Sequence, residues 1–272
     1  MKKIFKLFLI VGASLLFIGG CIFAVAFAKA DFNVRALSHV QYREECYEEN
    51  AQVTTLNLDC SVADIQIAYA DTDTLTITYL QAHNTRRDLD EISITEQDGV
   101  LSLSQSRNPY FSPSFFNVSV GFEISIQVPQ ERVLDINVKT STGDIQVSSG
   151  NFNSAEFKTS TGDMDFYGEI VADTLFAQTS SGEIDIQGNV TANTVSLKIS
   201  TGDIDSDGVI TAQTIDIKTG TGDVEIVLAG KQSDYTVVAK TNTGKQNIYS
   251  GGNGEKKLTI TCSTGDIEVE FR

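Results

Sequence analysis

The 272 residues include no tryptophan, three prolines, two histidines and two methionines. His39 and His83 are too few for a histidine-rich metal centre. The four cysteines, Cys21, Cys46, Cys60 and Cys262, form no CxxC pair and no metal-type spacing, and do not form a disulfide scaffold pattern. Basic residues are also scarce: 20 Lys and Arg face 36 Asp and Glu, for a formal charge of −16 and a pI near 4.4. That balance excludes a nucleic-acid partner, whose phosphates need a basic footprint. Hydrophobic residues make up 41% of the chain, enough for a large core, which excludes a disordered chain.

What the sequence does contain is one short phrase used seven times. TSTGDI begins at Thr140 and returns as TSTGDM from Thr159, TSSGEI from Thr179 and ISTGDI from Ile199. TGTGDV from Thr219, TNTGKQ from Thr241 and CSTGDI from Cys262 complete the set. The glycines, Gly143, Gly162, Gly182, Gly202, Gly222, Gly244 and Gly265, are 19, 20, 20, 20, 22 and 21 residues apart. A period near twenty marks a solenoid whose repeats stack.

Ahead of the repeats the chain divides as follows. Residues 1–6 carry Lys2, Lys3 and Lys6, and residues 7–28 contain no charge. At ~1.5 Å per residue such a helix is long enough for a ~30 Å hydrocarbon core, so a single transmembrane helix is expected over 7–28. The lysines place residues 1–6 in the cytoplasm and the rest outside, at the cell membrane. A cleaved signal peptide ending near Ala28-Lys29-Ala30 and a lipoprotein box at Cys21 are the rival readings. Residues 29–50 read as a juxtamembrane linker, and 51–272 as an extracellular β-solenoid domain, irregular over 51–130 and regular over 131–272.

In the irregular part, residues 56–67 alternate like 258–269, with Cys60 and Cys262 at the same repeat position. Residues 75–80, 91–95, 100–104 and 121–129 read as strands, and Gln97-Asp98-Gly99 as a hairpin turn. Residues 108–117 break the pattern with Tyr110, Phe111, Phe115 and Phe116, either a loop over the core or an aromatic contact loop for lipid, glycan or a partner.

Within one repeat, Leu134, Ile136, Val138, Thr140 and Thr142 alternate with polar residues and face inward. Gly143 makes a corner, after which Ile145 and Val147 face inward. A second glycine follows at Gly150, Gly168, Gly188, Gly208 and Gly230, so each coil has two or three strands. One coil cannot cover its own apolar layer, and only stacking does so. The inward Thr140, Thr159, Thr179 and Thr219 are expected to form a hydroxyl ladder.

Stacking turns outward positions into columns. After the glycine comes Asp144, Asp163, Glu183, Asp203, Asp223, Lys245, Asp266. Two residues on comes Gln146, Asp165, Asp185, Asp205, Glu225, Asn247, Glu268. Before it comes Lys139, Lys158, Gln178, Lys198, Lys218, Lys240, Thr261. An acidic stripe thus lies round the corner from a basic row. This pairing makes a solvated surface that keeps the domain soluble, with each Asp bonding turn amides. It could also attract cationic peptides with the stripe while the lysines touch anionic wall polymer or lipid. Cation binding by the stripe lacks the glycine-rich nonapeptide of calcium-binding β-rolls. Some β-solenoids are polysaccharide lyases or hydrolases, but here the carboxylates recur on every rung with no unique pair.

The lysine cluster, apolar segment and repeated (T/S)-x-(S/T)-G-(D/E)-(I/V) corners resemble a bacterial membrane-anchored family catalogued as putative adhesins, a domain of largely unknown function. The resemblance implies a β-solenoid and a cell-envelope location, with some relatives linked to envelope stress and antimicrobial-peptide sensing. It transfers no catalytic residues. Residues 246–254 depart from the pattern, with Lys245 and Gln246 in place of the Asp-Ile pair, so a less regular coil is expected there. The expectation is a non-enzymatic, cofactor-free interaction or envelope-stress-sensing protein whose partners are the membrane, wall polymer, cationic peptide or another envelope protein. An adhesin for host or neighbouring cells and a β-helix carbohydrate-active enzyme are the alternatives.

Overall fold

The computed structural model describes residues 41–83, 91–106 and 122–272, together with Gly19, Val25 and Ala28. The chain divides into two compact units. One comprises residues 1–42, 82–87 and 109–120, and lies almost wholly outside the described residues. The other comprises residues 43–81, 88–108 and 121–272 and carries the repeats.

The described elements are strands and one short 3-10 turn. In order they are β1 Gln41–Glu48, β2 Thr55–Val62, β3 Asp64–Ala70, β4 Thr76–His83, β5 Glu91–Gln97, β6 Val100–Ser106 and β7 Glu123–Pro129. The repeats follow as β8 Leu134–Thr142, β9 Ile145–Thr161, β10 Met164–Ser181, β11 Ile184–Ile186, β12 Asn189–Thr201, β13 Ile204–Thr221 and β14 Val224–Leu228. After the 3-10 turn Gln232–Asp234 come β15 Tyr235–Thr243, β16 Lys256–Thr264 and β17 Ile267–Phe271.

The expected transmembrane helix over 7–28 does not stand, because no helix among the described residues is long and apolar enough to cross a membrane. Within that stretch only Gly19, Val25 and Ala28 are described, each helical and exposed. The remainder lies outside the described residues. The single-pass localisation that rested on this helix is corrected with it.

Coils stack by parallel pairing in register. Met164 pairs with Ile145 on one side and Ile184 on the other, and Lys198 pairs with Gln178 and Lys218. Each middle coil makes three short runs: one after the corner, a short arm, and one before the next corner. Alternation fills the interior. Ile145, Val147, Met164, Phe166, Ile184, Ile186, Ile204 and Val224 are buried, as are Leu175, Leu197, Ile215 and Ile217 before the corner. Tyr69, Phe152, Phe157 and Phe166 form an edge-to-face chain, with ring centroids 5.6, 6.3 and 5.5 Å apart in sequence.

The first third contributes two more rungs. β2 pairs with β8 and β3 with β9, so Cys60 to Ile65 is an eighth corner phrase with Ala63 in the glycine position. On its far side β2 and β3 pair with β6 and β7, and the intervening corner holds residues 107–121, outside the described residues. The hairpin between β5 and β6 turns at Asp98 and Gly99, with φ of 52° and 78°, the left-handed pair of a tight hairpin.

Rung order departs from chain order at the C-terminus. β13 pairs with β16, and β16 with β15; β14 pairs with β17. The spatial succession of corners is therefore Ala63, Gly143, Gly162, Gly182, Gly202, Gly222, Gly265, Gly244. The last coil of the chain is the penultimate coil of the stack. This corrects the column order read from the sequence, in which Lys245 preceded Asp266. It also accounts for the departure at TNTGKQ, which is the terminal rung: Gln246 is half-exposed there while Ile248 remains buried.

Candidate functional site: the corner wall

Corner glycines are forced by close approach. Gly143 has φ +141°, and a Cβ there would lie 2.0 Å from the Ala63 carbonyl oxygen. At Gly202 the corresponding distance to the Gly182 oxygen is 1.7 Å. Ala63 carries its Cβ at the first corner, and among described non-glycine residues only Asp98 and Ser149 have positive φ. The hydroxyl ladder expected from the sequence for the inward threonines does not form. Thr159 and Thr179 instead donate to the Gly143 and Gly162 carbonyls of the preceding rung, each at 3.1 Å, and to their own i+2 carbonyls at 3.2 Å. Thr140 and Thr219 bond Ala63 and Gly202 in the same way, and the Cys262 thiol takes the equivalent place against Gly222. Each hydroxyl satisfies a carbonyl that the tight corner would leave short of partners.

The aspartates after the glycines do form a ladder. Asp64 Oδ1 accepts the Asp144 N–H at 3.0 Å, Asp144 Oδ1 accepts the Asp163 N–H at 2.8 Å, and Asp163 Oδ1 accepts the Glu183 N–H at 2.8 Å. The ladder resumes from Asp203 to Asp223 at 2.6 Å, Asp223 to Asp266 at 2.7 Å and Asp266 to Lys245 at 2.6 Å. Lys245 ends it, because no further rung among the described residues presents an N–H to be bonded. Thus Asp144, Asp163, Asp203 and Asp223, expected as a binding surface, are first of all backbone ligands.

Glu183 is the exception. Its side chain is one methylene longer, and it turns to Asp205 instead of the next rung's amide. Here the ladder gives way to a cleft of about 290 Å³ lined by Glu183, Asp185, Asp205, Ser206, Asp207 and Glu225. Asp185 and Asp205 are adjacent rungs of the second acidic column, and Glu225 is the next. Burial, reinforced by Glu183, Glu225 and Asp203, pushes the Asp205 carboxyl up to about 7. Asp165 is raised too, by burial and by Asp185, Asp163 and Asp144, against the opposing hydrogen bond from the Gln146 amide at 3.3 Å. Ser206 forms the floor. It occupies a core position where neighbouring rungs have Ile186 and Ile226, and its hydroxyl donates to the Gly208 carbonyl at 2.5 Å. Among the described residues no group of His, Cys, Asp or Glu could hold a metal ion.

The lysine row lies before the corner. Lys139 pairs with Lys158, Lys158 with Gln178, Gln178 with Lys198, Lys198 with Lys218, and Lys218 with Thr261. Lys158 is paired with Glu156, and the ammonium groups of Lys158 and Lys198 both lie 5.2 Å from the centre of the Phe176 ring. Phe176 was not singled out from the sequence, nor was Asp207. The first breaks a polar column, which is a readable signal; the second lies outside both acidic columns. Tyr110, Phe111, Phe115 and Phe116 lie outside the described residues. The acidic and basic columns therefore sit on separate walls, and of the acidic stripe Glu183, Asp185, Asp205 and Glu225 converge on one cleft.

Among solved structures the chain is similar to a putative adhesin from Bacteroides fragilis, at 16% identity and a TM-score of 0.47, over 84% of this chain and 97% of that one. It is similar also to a putative cell adhesion protein from Clostridium sporogenes, at 15% identity and a TM-score of 0.40, over 85% and 100% of the two chains. A putative lipid binding protein from Parabacteroides distasonis matches at 14% identity and a TM-score of 0.32, over 84% and 97%. No curated protein matches the chain. The family profile described as Toastrack DUF4097 matches residues 53–272, from the rung at Leu56 to the last strand, and the chain belongs to that family.

Proposed function

We propose that the protein is a non-catalytic interaction module that takes a cationic peptide segment in the acidic cleft of the corner wall. The observation that carries this reading is the charge imbalance of the cleft. Glu183, Asp185, Asp205, Asp207 and Glu225 line it with no lysine or arginine among them, and burial, reinforced by the neighbouring Glu183, Glu225 and Asp203, holds Asp205 up to about 7. An ammonium or guanidinium group entering the cleft relieves the repulsion and lets Asp205 ionise. The interaction is electrostatic, and its main effects are on encounter rate and salt dependence. The carboxylates do not form an isolated acid–base pair with a nucleophile or substrate pocket, which favours binding over turnover.

The test is binding of a fluorescent Lys/Arg-rich peptide to the full chain and to the Asp185→Asn/Asp205→Asn/Glu225→Gln variant, over a range of salt. The reading expects at least a tenfold loss of affinity, equivalent to about 1.4 kcal/mol, and a flatter salt dependence in the variant. Equal affinities would remove the cleft as the site.

A further inference from the structure

The inverted rung order makes one part of the stack depend on another. β15 has a single strand partner among the described residues, β16, and is otherwise tied to its own following loop. Val237 and Gly251 exchange N–H to carbonyl bonds at 2.8 Å, and Ser250 Oγ accepts from the Ala239 N–H and donates to its carbonyl. The coil 256–271 is gripped on both sides instead. β16 lies between β13 and β15, and β17 between β14 and residues 246–247. Gly222 donates to the Thr264 carbonyl, Asp266 donates to Asp223 Oδ1, and Lys245 donates to Asp266 Oδ1. Tyr235 closes the assembly, its hydroxyl on the Ala229 carbonyl and its ring against Phe271. Withdrawing the last coil leaves β15 with no strand partner, and uncovers a Gly222–Asp223 edge ready to receive a TGD corner.

We propose that the C-terminal coil, residues 256–271, is an exchangeable element, and that the slot beside the Gly222 rung takes the same coil of a second copy of this chain. Two features argue for that occupant. The slot's bonds are those made by every rung, so an identical coil satisfies all of them. The coil's tether, residues 249–255, contains Gly251, Gly252 and Gly254, with Gly251 at φ +140° and open space where a Cβ would stand. Seven extended residues span about 23 Å, enough to lead the coil off its own stack. Exchange of an identical element needs no new interface, and concentration favours it over closure.

The experiment uses the full chain with Cys21→Ser, Cys46→Ser and Cys262→Thr, the last being the residue most other rungs carry. Lys218 and Thr261 are registered partners on adjacent rungs. Lys218→Cys and Thr261→Cys chains are prepared separately, mixed, warmed to the onset of unfolding, cooled, and treated with a short bismaleimide. A chain carrying both substitutions is the control and closes intramolecularly at high dilution. Exchange gives a cross-linked mixed dimer whose yield, while small, rises roughly in proportion to protein concentration. Absence of mixed dimer at every concentration, with the control closed, overturns the proposal. A control that fails to close overturns it as well, because the coil would then not lie beside the Gly222 rung.

Discussion

An aspartate one residue after a corner glycine reaches the next rung's amide because its carboxylate stands two bonds from the backbone; Glu183 overshoots. Glu183→Asp should therefore complete the ladder by accepting the Asp203 N–H. It should raise stability by about 1 kcal/mol, the usual net value of one hydrogen bond, and be read as a higher thermal midpoint. An unchanged or lower midpoint would mean that Glu183 is better used against Asp205. Two of the perturbed carboxylates, Asp205 and Glu49, have opposite pH signatures. Asp205 has a folded pKa near 7, above its ordinary value of 3.8, so the folded protein binds the extra proton and this group's contribution falls as pH rises from about 4 to 7. Asp205→Asn should be more stable than the parent at pH 8, with the advantage vanishing near pH 4. Glu49 runs the other way. Burial opposes its ionisation, but the Arg132 guanidinium at 2.6 and 2.5 Å and the N–H groups of Leu75 and Val53 outweigh burial, and the carboxyl sits below its usual range. Its contribution is complete above the ordinary carboxylate range and is lost as pH falls through the lowered value. Both side chains are nearly buried, so Glu49→Gln should cost about 3 kcal/mol in denaturant unfolding at pH 7.

At the scale of the coil, the corner sets the tolerance to change. Gly143→Ala forces a Cβ into the Ala63 carbonyl and strains a left-handed backbone, so it should open the rungs on both sides, visible as lost hydrogen-exchange protection from β8 to β10. Ala63→Gly, at the end where the residue already carries a Cβ, should cost no more than about 1 kcal/mol. If both substitutions cost the same, the close-approach argument is wrong. This part of the fold was legible in the sequence, because a glycine that must lie against a carbonyl recurs wherever the contact recurs. The first corner was half legible: Leu56 to Ile67 alternates like the last repeat, but Ala63 stands where the other rungs carry glycine and so conceals the phrase. The threonines were legible as inward residues and not as carbonyl ligands, since alternation states a face and not a partner. Glu183 looked like one more acid, and the consequence of a single methylene appears only when rungs stand about 4.8 Å apart.

For the repeat-bearing unit as a whole, order along the stack was not legible. Every rung offers the same bonds to its neighbours, so nothing in TGTGDV, TNTGKQ or CSTGDI says which follows which. The one trace is Lys245-Gln246, where the acid and the apolar residue are dispensable because the rung is last. The order matters beyond topology. It joins Asp223 to Asp266 in the acidic wall, places Lys245 at its end, and makes residues 235–254 depend on the final coil. Backbone nuclear Overhauser contacts in perdeuterated protein report this directly. The stack described here requires amide contacts between β13 and β16, with the Asp266 amide close to Asp223, and none between β13 and β15. Contacts from Thr214–Thr221 to Tyr235–Thr243 in place of Lys256–Thr264 would restore chain order and contradict it.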